Sequence, residues 1–336
     1  MQTSHFDEDE LRDNAVGAGV LPIMINTNGK ISVILGRERT VPNWKGSQKW
    51  SGFEGGRKFP ESVEETAARE FYEESMGIVA VDSSGDNVYD AVLRVLRSKQ
   101  YVTRIALCIH KEKPPLVAST AVASSNDKYH VTYVVQVPYQ ADLPERFADL
   151  RKRLVQLQKI QGSLKTLRAA FPDASPYIKE GMTHGQDTIT GVIKADVLED
   201  RLCVLFSTSN LTVNARQTTI DCTPQATAYA AWIGTKNKLQ TVLRDIQPYD
   251  VFRGLVAAGA SDASPSMHER ADVVADFIEK EEVRVWELAD LAQVLANGGF
   301  LHTHFFRVYF LPVLQIAVRE IHLLHPTLFL PKKILP

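Results

Sequence analysis

The stretch KWSGFEGGRKFPESVEETAAREFYEESMG, residues 49–77, constrains the chain more than any other. An aromatic run ending in paired glycines reads as a short strand stopped by a tight turn. Ser62-Val63-Glu64-Glu65 then has capping-box spacing, with Ser62 at the N-cap and Glu65 at N3. The spacing predicts a helix to about Met76, with Gly77 as its C-cap. A helix turns about 100° per residue, so Glu70, Glu73 and Glu74 share an arc of roughly 100°. Ala67, Ala68, Phe71 and Tyr72 fall on the adjoining arc, the candidate buried side. Like charges three and four residues apart repel by a few tenths of a kcal/mol per pair, so a purely structural helix gains nothing from this pattern. A hard divalent cation reverses the sign, because Mg2+ or Mn2+ prefers oxygen ligands. ExxEE spacing alone is more often a solvated acidic face. Here it follows a glycine turn and a capped helix start.

The run GGRKFPESVEETAAREFYEESMGI resembles the Nudix box, G-x5-E-x7-R-E-U-x-E-E-x-G-U with U apolar. Gly55 and Glu61 have the first spacing, and Glu61 and Arg69 the second. Arg69, Glu70, Phe71, Glu73 and Glu74 match residue for residue. Two departures lie in the flanking turns. Gly56 stands five residues before Glu61, where the family often has a glycine six before. Ser75 and Met76 separate Glu74 from Gly77, where the family has one residue.

The resemblance implies an α/β fold, a Nudix-type α/β/α sandwich around a mixed sheet, here with a large insertion. It implies metal-dependent hydrolysis of a pyrophosphate bond in a nucleoside diphosphate linked to another group. Glu70, Glu73 and Glu74 are then the ligands of Mg2+ or Mn2+, with Gly55 or Gly56 offering a backbone carbonyl. Arg69 is the orienting residue and Glu61 a brace for the loop. The base is Glu70 or a carboxylate outside the box. Two alternatives stay open: hydrolysis of an mRNA cap, and a non-catalytic Nudix-fold binding module. Such modules usually lose box carboxylates, and this chain keeps them.

An ordinary Nudix domain needs about half of the 336 residues. Residues 15–145 and 265–325 are expected to supply it, with 1–14 an acidic tail and 146–264 an insertion or subdomain. A compact N-terminal domain followed by an independent C-terminal one is the alternative. AVGAGVLPIM and ISVILGR read as a hairpin across the turn signal NTNG. NVYDAVLRVL, YVTRIALCIH and YHVTYVVQVPY read as strands, and residues 171–265 as short strands and loops. HERADVVADFIEK is expected to be helical, EEVRVWEL a closing strand and DLAQVLANGG a short helix. FFRVYFL with PVLQIAVREIHLL is a strand and a helix, or one interrupted helix; Pro312 leaves both open.

A formal net charge of -2 supplies no global field for nucleic acid or membrane. Cys108, Cys203 and Cys222 form no CxxC, which argues against a zinc ribbon or a disulfide framework and suits a reducing compartment. The polar start MQTSHFDEDELRDN is unlike a signal peptide, and VYFLPVLQIAV is too short to span a bilayer. A cytoplasmic protein is expected, the nucleus staying open, with no membrane partner and no indication of oligomeric state.

The expected partner is a nucleotide-derived small molecule. Arg151, Lys152, Arg153, Lys159, Lys165 and Arg168, with no acid among them, make RNA a further candidate. A basic helix face balancing the acidic N-terminus is the plainer reading. His184, His302 and His304 read as turn, surface or packing residues. Trp44, Trp50, Trp232 and Trp286 read as core. Glu279, Glu281 and Glu282 are either a charged turn or the source of a carboxylate from outside the box.

Overall fold

The computed structural model describes residues 12–82, 86–109, 128–169, 223–260, 274–296 and 305–324. His184, His302, His304, Cys203 and Cys222 lie outside the described residues. In chain order the elements are β1 (Ala15–Ile25), β2 (Ile31–Glu38), β3 (Trp50–Ser51), β4 (Phe53–Gly56), α1 (Val63–Glu74) and α2 (Val88–Arg97). Then come β5 (Thr103–Ile109), β6 (Lys128–Val137), α3 (Leu143–Ala169), α4 (Thr223–Ile246) and α5 (Asp250–Ala260). A short 3-10 turn (Asp276–Ile278) leads into β7 (Lys280–Glu287), α6 (Leu288–Ala296) and α7 (Phe310–Leu324). The chain divides into two compact units, residues 1–152, 249–251 and 276–336, and residues 153–248 and 252–275.

The first unit is built on a seven-stranded mixed sheet with the order β3-β2-β1-β6-β5. The β1–β2 hairpin closes as Ile25 faces Ile31, with Asn26 Oδ1 accepting the amides of Asn28 and Lys30 and Gly29 at φ 74. One edge of β1 pairs in parallel with β6. On its other edge Gly17–Val20 pairs with β4 and Ile23–Ile25 with β2. β3 pairs with the far end of β2, so β3 and β4 fill the gap where β1 and β2 diverge. That gap sets the paired glycines opposite Gly17 and Ala18, near the start of β1.

Both faces of the sheet are covered, as its unbroken apolar strands require. Leu21, Ile23, Val33, Leu35 and Val134 pack against α6 and α7 through Leu291, Phe310, Leu314 and Ala317. α1 packs on β1 and β4 from the other face, where Phe71 meets Phe53 edge to face at 5.4 Å. In the second unit Leu154, Leu157, Ile160, Leu239, Val242, Ile246 and Leu255 are buried, and Arg153 pairs with Asp245 at 2.8 Å. No helix among the described residues is long and apolar enough to cross a membrane.

Several expectations change. NVYDAVLRVL is helix α2, not a strand: Val88, Ala91, Val92 and Leu96 form a helical stripe, and the Asn87 side chain caps the Asp90 amide. The described part of residues 171–265 is helical, as α4 and α5, with no strand. The described part of HERADVVADFIEK is a turn, the 3-10 segment and, at Lys280, the start of β7. Pro312 falls in the first turn of α7, where a missing amide hydrogen is harmless, so one helix starts at Phe310. Before it, Phe306 forms an isolated bridge to Trp50.

α1 ends earlier than Met76. Its last residue is Glu74 and its C-cap is Ser75. Gly77 N–H donates to Tyr72 O at 2.9 Å and Met76 N–H to Glu73 O at 3.1 Å, the paired bonds of a Schellman motif. The left-handed cap position is taken by Met76, φ 56, followed by Gly77 at φ 62. That is how the extra residue of this turn is accommodated. At the other end, both arms of the Ser62–Glu65 capping box form. Ser62→Ala is expected to destabilise the first unit by about 1 kcal/mol. Chemical unfolding followed by circular dichroism measures it, and an unchanged midpoint would remove the cap from the account.

Candidate active site

Arg69 organises the helix face. Its Nε donates to Glu61 Oε1 at 2.7 Å and its Nη2 to Glu61 Oε2 at 3.1 Å and to the Gly56 carbonyl at 2.9 Å. Its Nη1 reaches Glu70 Oε1 at 2.6 Å and Glu73 Oε2 at 3.0 Å. One arginine therefore ties the loop glutamate, the glycine turn and two helix carboxylates together, which needs the planar fork of a guanidinium. Thr66 Oγ1 and the Lys58 amide also bond Glu61, bracing the loop from both sides. Hydrogen bonds from Arg69, Lys58 and Thr66 overcome burial and hold the Glu61 carboxyl below the usual carboxylate range. Arg69→Lys is expected to lower activity by about 10- to 100-fold, as for residues that orient ligands. Steady-state kinetics on a confirmed substrate checks it; wild-type rates would refute the orienting role.

Glu70 and Glu73 are thus brought together on a single cation. Burial pushes the Glu73 carboxyl up to about 7, against the pull of Arg69 and with the charge on Glu70 adding to the rise. Glu74 is placed differently. It turns inward to 3% exposure, where Oε1 lies 3.0 Å from Lys280 Nζ and Oε2 accepts the Glu54 amide at 2.8 Å. Gly55 acts through its missing side chain: a Cβ there would run into the Glu70 carboxylate. Its carbonyl lies over Gly17 of β1, where a Cβ on Gly17 would come within 2.6 Å of it. The other carbonyl expected to face a metal, that of Gly56, is bonded by Arg69.

A buried charge network lies behind this face. Lys280 Nζ also bonds Glu38 Oε1 at 2.6 Å and Ser51 Oγ at 2.8 Å. Burial pulls the Lys280 ammonium down, but Glu74 and Glu38 outweigh it and hold it above its ordinary value. Arg307 reaches Glu38 at 3.1 Å and Glu54 at 3.9 Å, and His130 stands 3.9 Å from Glu54. Burial holds His130 below the usual histidine range. No motif in the sequence marks Glu38, Glu54, His130, Lys280 or Arg307. The signal that was there is charge at inward strand positions, such as Glu38 ending the apolar run ISVILGRE.

Of the three closing-strand glutamates, Glu281 and Glu282 face Arg37, at 3.7 Å and 2.7 Å. Burial, then the charge on Glu70, pushes the Glu279 carboxyl up. Trp50 is core, as expected, but Trp44 is 40% exposed with the Arg307 guanidinium over its ring. The basic stretch is partly engaged internally. Arg151 Nε donates to the Lys280 carbonyl at 2.7 Å, and Arg153 pairs with Asp245.

Among the described residues no group of three His, Cys, Asp or Glu side chains stands ready to hold a metal ion. The donor chemistry still fits a hard divalent ion. Glu70 and Glu73 are carboxylates that one cation already bridges, in a space kept clear by Gly55. Burial chiefly, with the charge on Glu70 adding, pushes up the carboxyls of Glu73, Glu74 and Glu279.

No family model and no curated protein matches the chain. Among solved structures it is similar to a C. elegans Ap4A hydrolase in a binary complex, at 16% identity and TM-score 0.21, over 37% of this chain and 66% of that one. It is also similar to RenU, a Nudix hydrolase from M. smegmatis, at 13% identity and TM-score 0.23, over 38% and 63%. A second C. elegans Ap4A hydrolase structure matches at 14% identity and TM-score 0.23, over 38% and 72%. The chain thus spans slightly less than two thirds of the first two.

Proposed function

We propose that this chain hydrolyses the pyrophosphate bond of a nucleoside diphosphate linked to another group, using a divalent ion held by Glu70 and Glu73. The observation that carries the reading is the Arg69 guanidinium, whose Nη1 joins those two carboxylates while Nε and Nη2 clamp Glu61 and the glycine turn. The chemistry belongs to the first unit, with 146–264 as an insertion in a body made by 15–145 and 265–325.

Bound there, Mg2+ or Mn2+ would neutralise charge on the pyrophosphate and lower the pKa of a water. The protein supplies position. Arg69 keeps Glu70 and Glu73 on one side of α1, the Ser62 cap fixes where that helix begins, and Gly55 leaves Glu70 its space. A carboxylate must take the water proton. Glu70 is one candidate and a carboxylate from outside the box, such as Glu279, the other.

The test is a hydrolysis panel of dinucleoside polyphosphates, nucleotide sugars, ADP-ribose, oxidised nucleotides and capped RNA. It is run with Mg2+, with Mn2+ and with EDTA. Turnover of at least one member that EDTA stops and metal restores is the expected result. Turnover that persists in EDTA, or none on any member, would overturn the reading.

A further inference from the structure

We propose that Lys280 is a built-in cation that holds Glu74 out of the divalent-metal site, so that the metal is taken on α1 by Glu70 and Glu73 without Glu74. This rests on the metal-dependent reading above. The β2–β7 ladder slips between Arg37 and Glu38: Arg37 faces Glu282, yet Glu38 faces Lys280, which leaves Glu281 as a bulge. Without the bulge Glu281 would stand opposite Glu38, and directly opposed like charges are destabilising. With it, the ladder sets a lysine across from Glu38 instead.

The position is built for an ammonium. Three oxygens surround Nζ: it donates to Glu38 Oε1 at 2.6 Å and Ser51 Oγ at 2.8 Å and forms an ion pair with Glu74 Oε1 at 3.0 Å. Gly36 on β2 leaves the channel for the stem; a Cβ there would meet Lys280 Cδ at 2.9 Å and Cγ at 3.0 Å. Lys280 is 1% exposed, and a charge so buried is strongly unfavourable unless paired this well. The second oxygen of Glu74 is bonded by the Glu54 amide, so both its oxygens are engaged inside the protein. The ammonium does for Glu74 what a divalent ion would do for Glu70 and Glu73.

Calorimetric titration of the full chain with MnCl2 tests this. The wild type is expected to take one ion. Lys280→Met frees Glu74 Oε1, while Glu38 keeps Ser51 and Arg307, and the variant is expected to take a second ion, which a merely structural lysine would not cause. Because that variant leaves uncompensated buried charge and can fail to fold, Lys280→Met/Glu74→Gln is titrated beside it. The double variant is expected to bind one Mn2+ within about threefold of the wild-type affinity, while Glu73→Gln weakens binding by at least about tenfold. A double variant as weak as Glu73→Gln would put Glu74 on the metal and overturn the proposal, as would a folded Lys280→Met that still takes one ion.

Urea unfolding in EDTA supplies a metal-free arm. Adding Glu74→Gln to Lys280→Met is expected to improve the unfolding constant by about fivefold or more, a non-additive effect for residues in contact. Additive effects would refute the Lys280–Glu74 lock. If the wild type takes up no Mn2+, the hydrolase reading fails, and with it the claim about the metal. The metal-free arm then still decides whether Lys280 holds Glu74.

Discussion

Glu73→Gln removes about a hundredfold to ten-thousandfold of turnover on a confirmed substrate, the equivalent of several kcal/mol of metal-ion stabilisation. Glutamine keeps the shape of the side chain but offers a metal one weak carbonyl oxygen in place of a carboxylate. The fold survives the change. Glu73 lies one turn from Glu70, and removing its charge relieves a like-charge repulsion while giving up one of five hydrogen bonds made by Arg69. Its thermal midpoint therefore stays at the wild-type value or rises slightly. Kinetics and a melt on the same preparation separate the two effects. Full activity in Glu73→Gln sinks the ligand assignment. Lost activity with a collapsed midpoint shows a structural residue instead.

Phe71→Ala acts through the other face of the same helix. Phe71 is fully buried and its ring meets Phe53 of β4 edge to face. Truncating a buried phenylalanine typically destabilises by about 3–5 kcal/mol, through lost burial and the cavity left behind. The effect also reaches the site, because the Phe53–Phe71 contact ties α1 to β4, the strand carrying Glu54 and Gly55. Activity in Phe71→Ala is expected to fall at temperatures where the variant is still folded, as Glu70 and Glu73 lose their setting over the glycine turn. Denaturant unfolding checks the stability change. A loss below about 1 kcal/mol would mean that α1 is held mainly by its polar contacts.

The parts of this molecule that were legible in the sequence are local ones. The turn NTNG announced the β1–β2 hairpin, and Ser62 and Glu65 announced the start of α1, because each signal acts within five residues of itself. α2 was misread because a run of valines and leucines mimics a buried strand; the period of its buried residues and the Asn87 cap were the better evidence. The end of α1 was misplaced because glycine was expected at the left-handed position that Met76 occupies. The inner charge network was not legible. Glu38 and Lys280 are 242 positions apart, and only the bulge at Glu281 decides which closing-strand residue faces Glu38. Helical spacing put Glu74 on the same arc as Glu70 and Glu73, but spacing carries no information about the cation waiting on β7.

Binding of Mn2+ to the full chain, followed by the loss of the free-ion electron paramagnetic resonance signal, tests the central claim most directly because it needs no substrate. The account predicts saturable uptake of one ion per wild-type chain, weakened by at least about tenfold in both Glu70→Gln and Glu73→Gln. No uptake by the wild type, or uptake unchanged in both variants, would contradict it.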